Sequence, residues 1–359
     1  MGTINGDTIN GDRSIFREKN RSVPIYRPSP FIVPIYLQHL RKAGREQEEQ
    51  FVSESFTSMS NVDGRITPTG EACVPVLDRG FLYGDSIYEV FRTYSGVPLF
   101  YQEHWERLEN SAQLIHMHIS QSRDQITEQI RRTVQATSAG ELAKEIYVRY
   151  VITRGEGPVE LYPNPDLQTR YVIIANAVPE WSPEFYSVGM KAAIPAVRRN
   201  PIDALDPNIK GGNYLNNVIA ITQARKLGAD ESIILNRDGY VTEASNSNVV
   251  FVLDGELVTP GGAAGNLRGI TKKAAREACA THGLTLNERD VHAKDLDRAT
   301  ECFVTSATRE VMPIVSLRLD DGRMVEFPPG GGEITRKVAR YYRQYLDEHV
   351  KQNASLSLW

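Results

Sequence analysis

The run Asp206-Pro207-Asn208-Ile209-Lys210-Gly211-Gly212-Asn213-Tyr214-Leu215-Asn216-Asn217 sets a lysine beside two glycines, just ahead of a helical stretch. A second run, Gly239-Tyr240-Val241-Thr242-Glu243-Ala244-Ser245-Asn246-Ser247-Asn248-Val249, sets a glutamate at the end of a strand-like segment. A primary amine condenses with an aldehyde to a Schiff base. A carboxylate keeps a neighbouring ring nitrogen protonated, so that the ring can accept electrons. This pair suits pyridoxal 5′-phosphate (PLP), which carries an aldehyde, a pyridine nitrogen and a phosphate. The plainer readings are a solvated loop lysine and an ordinary strand-end carboxylate. A buried carboxylate without a partner is costly, which makes a protonated ring nitrogen a natural companion for Glu243.

A phosphate needs fixed donors. Gly269-Ile270-Thr271 opens a helical stretch, where free backbone N–H groups attract an anion. Thr308 offers a hydroxyl nearby in type, and the glycines beside Lys210 let a flat molecule approach the backbone. Tyr88, Val90 and Arg92 share one face of a strand by the two-residue period. Tyr147 and Arg149 share a face of another, and Arg154 falls on its opposite face unless that strand has ended or bulged.

These residues need elements to hold them. Val74 to Leu77 and Ser86 to Tyr94 read as strands, the second rich in β-branched and aromatic residues. Trp105, Leu108, Ala112 and Ile115 recur at helical spacing, which predicts an amphipathic helix over 102–116. Arg107 lies on its polar side, where a surface salt bridge is the competing account. A helix near 121–138 precedes strands over 145–154 and 171–178. Pro179-Glu180-Trp181-Ser182-Pro183 breaks the pattern and predicts an interdomain linker over 179–184. Beyond it come a strand at 190–196, a helix at 213–227, and the turns Asp238-Gly239, Asp254-Gly255 and Asp321-Gly322, each a hairpin signal. Helices at 271–282 and 333–349 and strands near 285–289, 301–305 and 311–318 complete the reading. Hairpins with helices between them predict an α+β fold of two domains, a small one over 63–178 and a large one over 185–359.

Residues 1–62 read as an appended arm, partly disordered at its start or wrapping a neighbouring subunit. They hold the tandem repeat Ile4-Asn5-Gly6-Asp7, Ile9-Asn10-Gly11-Asp12, a proline-spaced segment, and a charged helical run from Leu37 to Phe51. The 359 residues are long enough for two cores. Apolar residues at 41% and charged ones at 24% are ordinary for a globular chain, and a net charge of −4 asks for neither nucleic acid nor an anionic membrane. The three cysteines are scattered, which argues against a disulfide framework or a cysteine zinc site and for a reducing cytoplasm. No apolar run approaches the roughly 20 residues of a membrane span, and Met1–Asn20 lacks the apolar core of a signal peptide. His116-Met117-His118 has no carboxylate at metal-binding spacing and reads as packing. Gly330-Gly331-Gly332 lacks the lysine and hydroxyl of a P-loop and reads as a loop into the last helix.

Five blocks, in order, resemble the class IV aminotransferases, the fold type IV PLP enzymes. They are Asp78-Arg79-Gly80-Phe81-Leu82-Tyr83-Gly84-Asp85, His104-Trp105-Glu106-Arg107-Leu108, the Lys210 block, the Glu243 block, and Leu267-Arg268-Gly269-Ile270-Thr271 with Thr305-Ser306-Ala307-Thr308. The resemblance runs from about Asp63 to about Glu348. It implies that Lys210 is the Schiff-base lysine and proton carrier, and that Glu243 faces the pyridine nitrogen. It implies further that Tyr214 meets the phenolic oxygen, that Leu267 packs on the ring, and that Arg107, Ile270, Thr271 and Thr308 take the phosphate. Ala307 stands where the family often has threonine. Tyr88, Val90, Arg92, Tyr147, Arg149, Arg154 and Ala307 become substrate residues. Tyr147-x-Arg149 resembles the branched-chain enzymes. Arg154, with Asp85-Ser86-Ile87-Tyr88-Glu89-Val90, resembles the D-amino acid enzymes.

The implied activity is transfer of an amino group between an amino acid, with a branched-chain L-amino acid favoured, and a 2-oxo acid such as 2-oxoglutarate. A homodimer or larger homo-oligomer would carry it out. The alternatives are a D-amino acid or R-amine transaminase, an aminodeoxychorismate lyase using the same lysine, and a non-catalytic binding protein that has kept the fold. The intact lysine and glutamate speak against the last.

Overall fold

Runs of β-branched and aromatic residues assemble into two sheets in the computed structural model, which describes residues 56–142 and 144–359. The first sheet consists of β1 (Met59–Val62), β2 (Arg65–Pro68), β3 (Ser86–Tyr94), β4 (Val97–Pro98), β5 (Ile146–Thr153) and β6 (Arg170–Ala177). Its order is β2-β1-β6-β5-β3-β4, and every neighbouring pair is antiparallel.

The second sheet contains β7 (Met190–Ala193), β8 (Glu231–Leu235), β9 (Val241–Ala244), β10 (Asn248–Leu253), β11 (Glu256–Thr259), β12 (Leu286–Glu288), β13 (Ala299–Ser306), β14 (Glu310–Arg318) and β15 (Met324–Glu326). Its order is β12-β11-β10-β13-β14-β7-β8-β9, with β15 beside β14. Parallel pairs β7·β8, β7·β14 and β11·β12 mix with the antiparallel hairpins.

The helices are α1 (Arg79–Tyr83), α2 (Tyr101–Leu114), α3 (Arg123–Gln135), α4 (Ala139–Leu142), α5 (Pro183–Ser187), α6 (Leu215–Lys226), α7 (Ile270–Ala280) and α8 (Glu333–Gln352). Trp105, Leu108 and Ala112 of α2 and Ile126, Ile130 and Val134 of α3 pack with Phe91, Tyr150 and Ile173 in the core of the first sheet. Full burial of such a side chain contributes about 1.5–3 kcal/mol, so the apolar stripe of α2 fixes the helix that presents Arg107. Ala275 and Cys279 of α7 and Val338, Tyr342 and Leu346 of α8 cover one face of the second sheet against Val250 and Phe303. Ile233, Val249, Phe251, Met312 and Ile314 fill the other face. With both faces covered, β8, β9 and β10 are buried along their whole lengths. Their polar side chains, Glu231 and Glu243 among them, therefore need partners inside the protein.

Two sequence expectations change here, and a third holds with an added detail. Val74–Leu77 is not a strand. Pro75 withholds a ladder donor, the segment turns, and Val74, Val76 and Leu77 are exposed. Asp78 ends it by capping α1 through Gly80 N (2.7 Å) and accepting from Thr153 Oγ1 (2.7 Å). Next, β1 falls within the range read as an arm, yet it pairs with β2 and β6, so the first sheet begins at residue 59. The repeat, the proline-spaced segment and the Leu37–Phe51 run lie outside the described residues. Finally, Gly330–Gly332 leads into α8 as expected, but the Glu301 carboxylate already caps that helix, accepting from Ile334 N (3.1 Å) and Thr335 N (2.7 Å). All strands of the first sheet end by Ala177 and those of the second begin at Met190. The break between them holds Ser182, the cap of α5, with Pro183 at its first position.

Candidate active site

β4 pairs only with Thr93 and Tyr94, so the first residues of β3 lack a neighbour on that side. The Lys210 segment takes the place. Tyr88 N donates to Lys210 O (2.9 Å), Gly212 N donates to Ser86 O (2.9 Å), and Lys210 N donates to Ser111 Oγ of α2 (3.1 Å). A Cβ on Gly212 would stand 2.4 Å from Ser86 Oγ, and one on Gly211 3.1 Å from Ser86 O. The two glycines thus serve the close approach of this loop to β3, not the approach of a ligand. Lys210 Nζ lies 4.7 Å from the centre of the Tyr88 ring. Arg149 Cζ lies 3.7 Å from the same ring, and Tyr214 meets it edge-on at 5.6 Å. Burial, and then the neighbouring Tyr214, push the Tyr88 hydroxyl well above its ordinary range, so it stays protonated.

Glu243 stands near the end of β9 with both oxygens engaged. Oε1 pairs with Arg199 Nη2 (2.8 Å), and Oε2 accepts from Leu267 N (3.0 Å). The second bond ties the acid to the loop that leads into α7.

The far end of the site gathers groups suited to an anion. Arg107 donates from Nε and Nη2 to the two oxygens of Glu89 (2.7 Å each), and from Nη1 to Arg268 O (3.1 Å). A guanidinium has five N–H donors, so two remain, one on each Nη. Glu89 is fully buried and also meets His104 Nδ1 at 2.7 Å. Burial alone would raise its carboxyl. The Arg107 charge and the hydrogen bonds from Arg107 and His104 outweigh that and lower it to about 2. Burial lowers the His104 imidazole in turn.

α7 begins at Gly269 without a side-chain cap, so its first N–H groups have no intrahelical acceptor. A Cβ on Gly269 would fall 1.8 Å from Asn248 Oδ1, whose amide donates to Leu267 O (2.9 Å). Only glycine lets Asn248 hold that loop against the helix start.

These groups border one cavity of about 190 Å³, more than ten times what a single water needs. Lys210, Glu243, Arg107, Tyr214, Leu267, Ile270, Thr271, Thr308, Tyr88, Val90, Tyr147, Arg149 and Ala307 all line it. The residues fit PLP. An amine, a carboxylate, an uncapped helix start and an arginine with two spare donors face one space, and Thr305 Oγ1 is buried in its wall without a partner among the described residues.

Two sequence candidates stand elsewhere. Arg92 is directed to Glu310 (3.5 Å) and stacks on Tyr94. The period of β3 put it on the face of Tyr88, but the strand has run past the cavity by that point. Arg154 follows the end of β5 and is held by three partners away from this cavity. Nε donates to Asp85 (2.7 Å), Nη1 to His116 O (3.1 Å) and Nη2 to Ile115 O (2.8 Å). It borders a different cavity, with Arg79, Met117 and Leu161.

The sequence reading missed Glu89, His104, Thr305, Asn217, Asn248 and Arg199. An acid inside a β-branched strand, with His104 and Arg107 one helical turn apart, was a usable signal for the first two. Nothing local marks Arg199.

The family model for amino-transferase class IV matches residues 86–317. A protein of Methanocaldococcus jannaschii assigned as a branched-chain-amino-acid aminotransferase is 32% identical over 282 residues, covering 79% of this chain and 94% of its own. A D-alanine aminotransferase of Bacillus licheniformis is 30% identical over 263 residues, covering 73% and 88%. The crystal structure of the branched-chain amino acid aminotransferase of Thermobaculum terrenum in its PLP form superposes with a TM-score of 0.69 at 27% identity, over 80% of this chain and 93% of that one.

Proposed function

The chain belongs to the class IV aminotransferases and is a PLP-dependent transaminase, and from that premise we propose that Lys210, Glu243 and the α7 start are the three fixed points of its active site, with branched-chain L-amino acids as donors. The observation that carries this reading is that Lys210 and Glu243, from two separate elements, open onto one cavity bounded by an uncapped helix. The alternative of a binding protein has no use for that convergence.

When bound, the cofactor supplies a carbonyl for the amine to join and a ring that accepts electrons. Glu243 would hold the proton on the pyridine nitrogen, and Tyr214 would face the phenolic oxygen. Leu267 would pack against the ring. The amides of Ile270 and Thr271, the two spare Arg107 donors and the Thr308 hydroxyl would receive the phosphate, which suits the dipole of α7. Lys210 Nζ would take the proton from the donor's α-carbon and return it to the carbon that was the cofactor's aldehyde. Among the described residues no carboxylate lies within ion-pair distance of Nζ, so no partner ties it to one position.

Arg149 also has no carboxylate partner among the described residues, and it borders the cavity with Tyr147, Val90 and Tyr88. It is therefore free to meet a carboxylate of the amino acid or the oxo acid, whereas Arg154 is spent on Asp85. That contrast supports the branched-chain reading over the D-amino acid one. We read the two sheets as the small and large domains. Val74, Val76, Leu77 and Phe81 stand exposed, as do Val159, Leu161 and Tyr162 of a loop clasped by Arg79 through Glu160 O and Leu161 O (2.7 Å each). A second copy covering this patch would make the homodimer. No described helix is long and apolar enough to cross a membrane, and the unpaired thiol of exposed Cys73 suits the cytoplasm.

The test is a donor panel. The PLP-loaded protein is reduced with borohydride and its peptides mapped, and L-leucine, D-alanine and an R-amine are offered in turn with 2-oxoglutarate. The expected results are a pyridoxyl group on Lys210 and fastest oxo-acid formation from L-leucine. An adduct elsewhere overturns the site, and faster turnover of D-alanine overturns the substrate class.

A further inference from the structure

Arg199 is held in place at three points. Its own N–H donates to Leu235 O (2.8 Å), seating it beside β8. Nη1 donates to Asn217 Oδ1 (2.8 Å), and Nη2 pairs with Glu243 Oε1 (2.8 Å). Asn217, itself buried, is anchored through Ser245 O (2.8 Å) on the turn after Glu243. Both charged side chains are largely buried, at 13% and 8% exposure. Among the described residues, Arg199 has no other carboxylate within ion-pair distance and Glu243 no other cation. Arg199 also borders a second cavity that shares Lys210, Tyr214, Glu243 and Leu267 with the first.

A carboxylate offers about four lone-pair sites, and Glu243 has committed one to Arg199 and one to Leu267 N. A further donor can still bind it, but it meets an acid whose charge is already balanced. On the reading that Glu243 faces the pyridine nitrogen, we infer that Arg199 is a positioning residue that fixes the Glu243 carboxylate and restrains the basicity of that nitrogen. The cation on the far side of the carboxylate disfavours a proton on the near side. Across about 6 Å, at an effective dielectric constant near 20, a unit charge moves a pKa by about two units. The partial exposure of this pair reduces that to about one. The ring nitrogen of this enzyme therefore releases its proton at lower pH than one facing an unpaired glutamate would, which tempers the electron sink.

The experiment loads the full chain with PLP carrying 15N in the ring and follows the bound nitrogen by NMR as pH is varied. Arg199→Gln is expected to keep the ring protonated to a pH about one unit higher than the wild type. Arg199→Lys, which keeps the charge, is expected to titrate as the wild type does. Asn217→Ala, which removes only the guanidinium's second anchor, is expected to shift the titration in the same direction by less, and it serves if Arg199→Gln does not fold. Titration of Arg199→Gln or Asn217→Ala at or below the wild-type pH overturns the inference and leaves Arg199 a structural role. Glu243→Gln separates the two readings: if it leaves the ring resonance unmoved, Glu243 does not face the nitrogen, and the underlying assignment fails.

Discussion

Replacing Glu89 with glutamine tests the anion end of the site. Glu89 is fully buried and takes two 2.7 Å hydrogen bonds from Arg107 and meets His104 Nδ1 at a third 2.7 Å contact. Its carboxyl falls from an ordinary 4.5 to about 2 in the folded protein. A lowered folded-state value means that the stabilisation is fully present above about 4.5 and is lost as pH falls towards about 2. The difference is worth about 3 kcal/mol, at 1.36 kcal/mol per unit. Breaking a buried ion pair by removing one partner costs about 3–5 kcal/mol, which agrees. Urea unfolding at pH 7 should therefore show Glu89→Gln less stable than wild type by about 3 kcal/mol, and the gap should narrow as pH falls through 4.5. The same variant loosens Arg107, so its affinity for PLP should drop about 10- to 100-fold, the worth of one charge-assisted hydrogen bond. Its affinity for pyridoxal, which lacks the phosphate, should hold. A stability gap independent of pH, or equal losses for both ligands, would refute the reasoning.

Lys210→Ala should show no turnover and no borohydride-trapped pyridoxyl group, with an unchanged far-ultraviolet circular dichroism spectrum; substantial transamination by this variant would end the assignment. Arg149→Gln should raise KM for the carboxylate substrate about 10-fold or more, with PLP affinity measured by dialysis unaltered. Arg154→Ala should leave KM near the wild-type value but lower Tm, because it leaves Asp85 with Arg79 alone and removes the donor to two backbone carbonyls. Gly269→Ala should weaken PLP binding, since its Cβ would displace Asn248 from the loop that feeds α7.

The sequence carried most of the fold because its signals were local. The three Asp-Gly turns each close a hairpin, and the apolar stripe of 102–116 matches the buried face of α2. The misses share a cause. Val74–Leu77 has strand-like residues, but Asp78 and Pro75 are better used as a cap and a turn, and the pattern of four residues cannot reveal that choice. Arg92 and Arg154 were read by period. The period gives the face of a strand, not how far along the strand the cavity extends, nor which carboxylate waits beyond it. Asp85 and Glu310 decided both cases, and each lies distant in sequence from the arginine it binds. The two glycines after Lys210 were legible as a demand for space, but the occupant is Ser86 rather than a ligand.

Charge placement gives the arrangement its logic. At one end of the site Arg107 is neutralised by Glu89, and at the other Glu243 is neutralised by Arg199. Between them Lys210 and Arg149 border the cavity with no ion-pair partner among the described residues. The end pairs are rigid because each is buried and each charge is satisfied, so they can define where a ligand sits without collapsing onto it. Arg149 is the unpaired cation that a substrate carboxylate would meet, and Lys210 carries the amine that a carbonyl carbon would meet. A site with the order reversed, free charges at the ends and paired ones in the middle, would bind a phosphate tightly but leave no amine available for chemistry. On the proposed reading, the pairing pattern would let a cavity that binds an anionic cofactor also hold a reactive lysine.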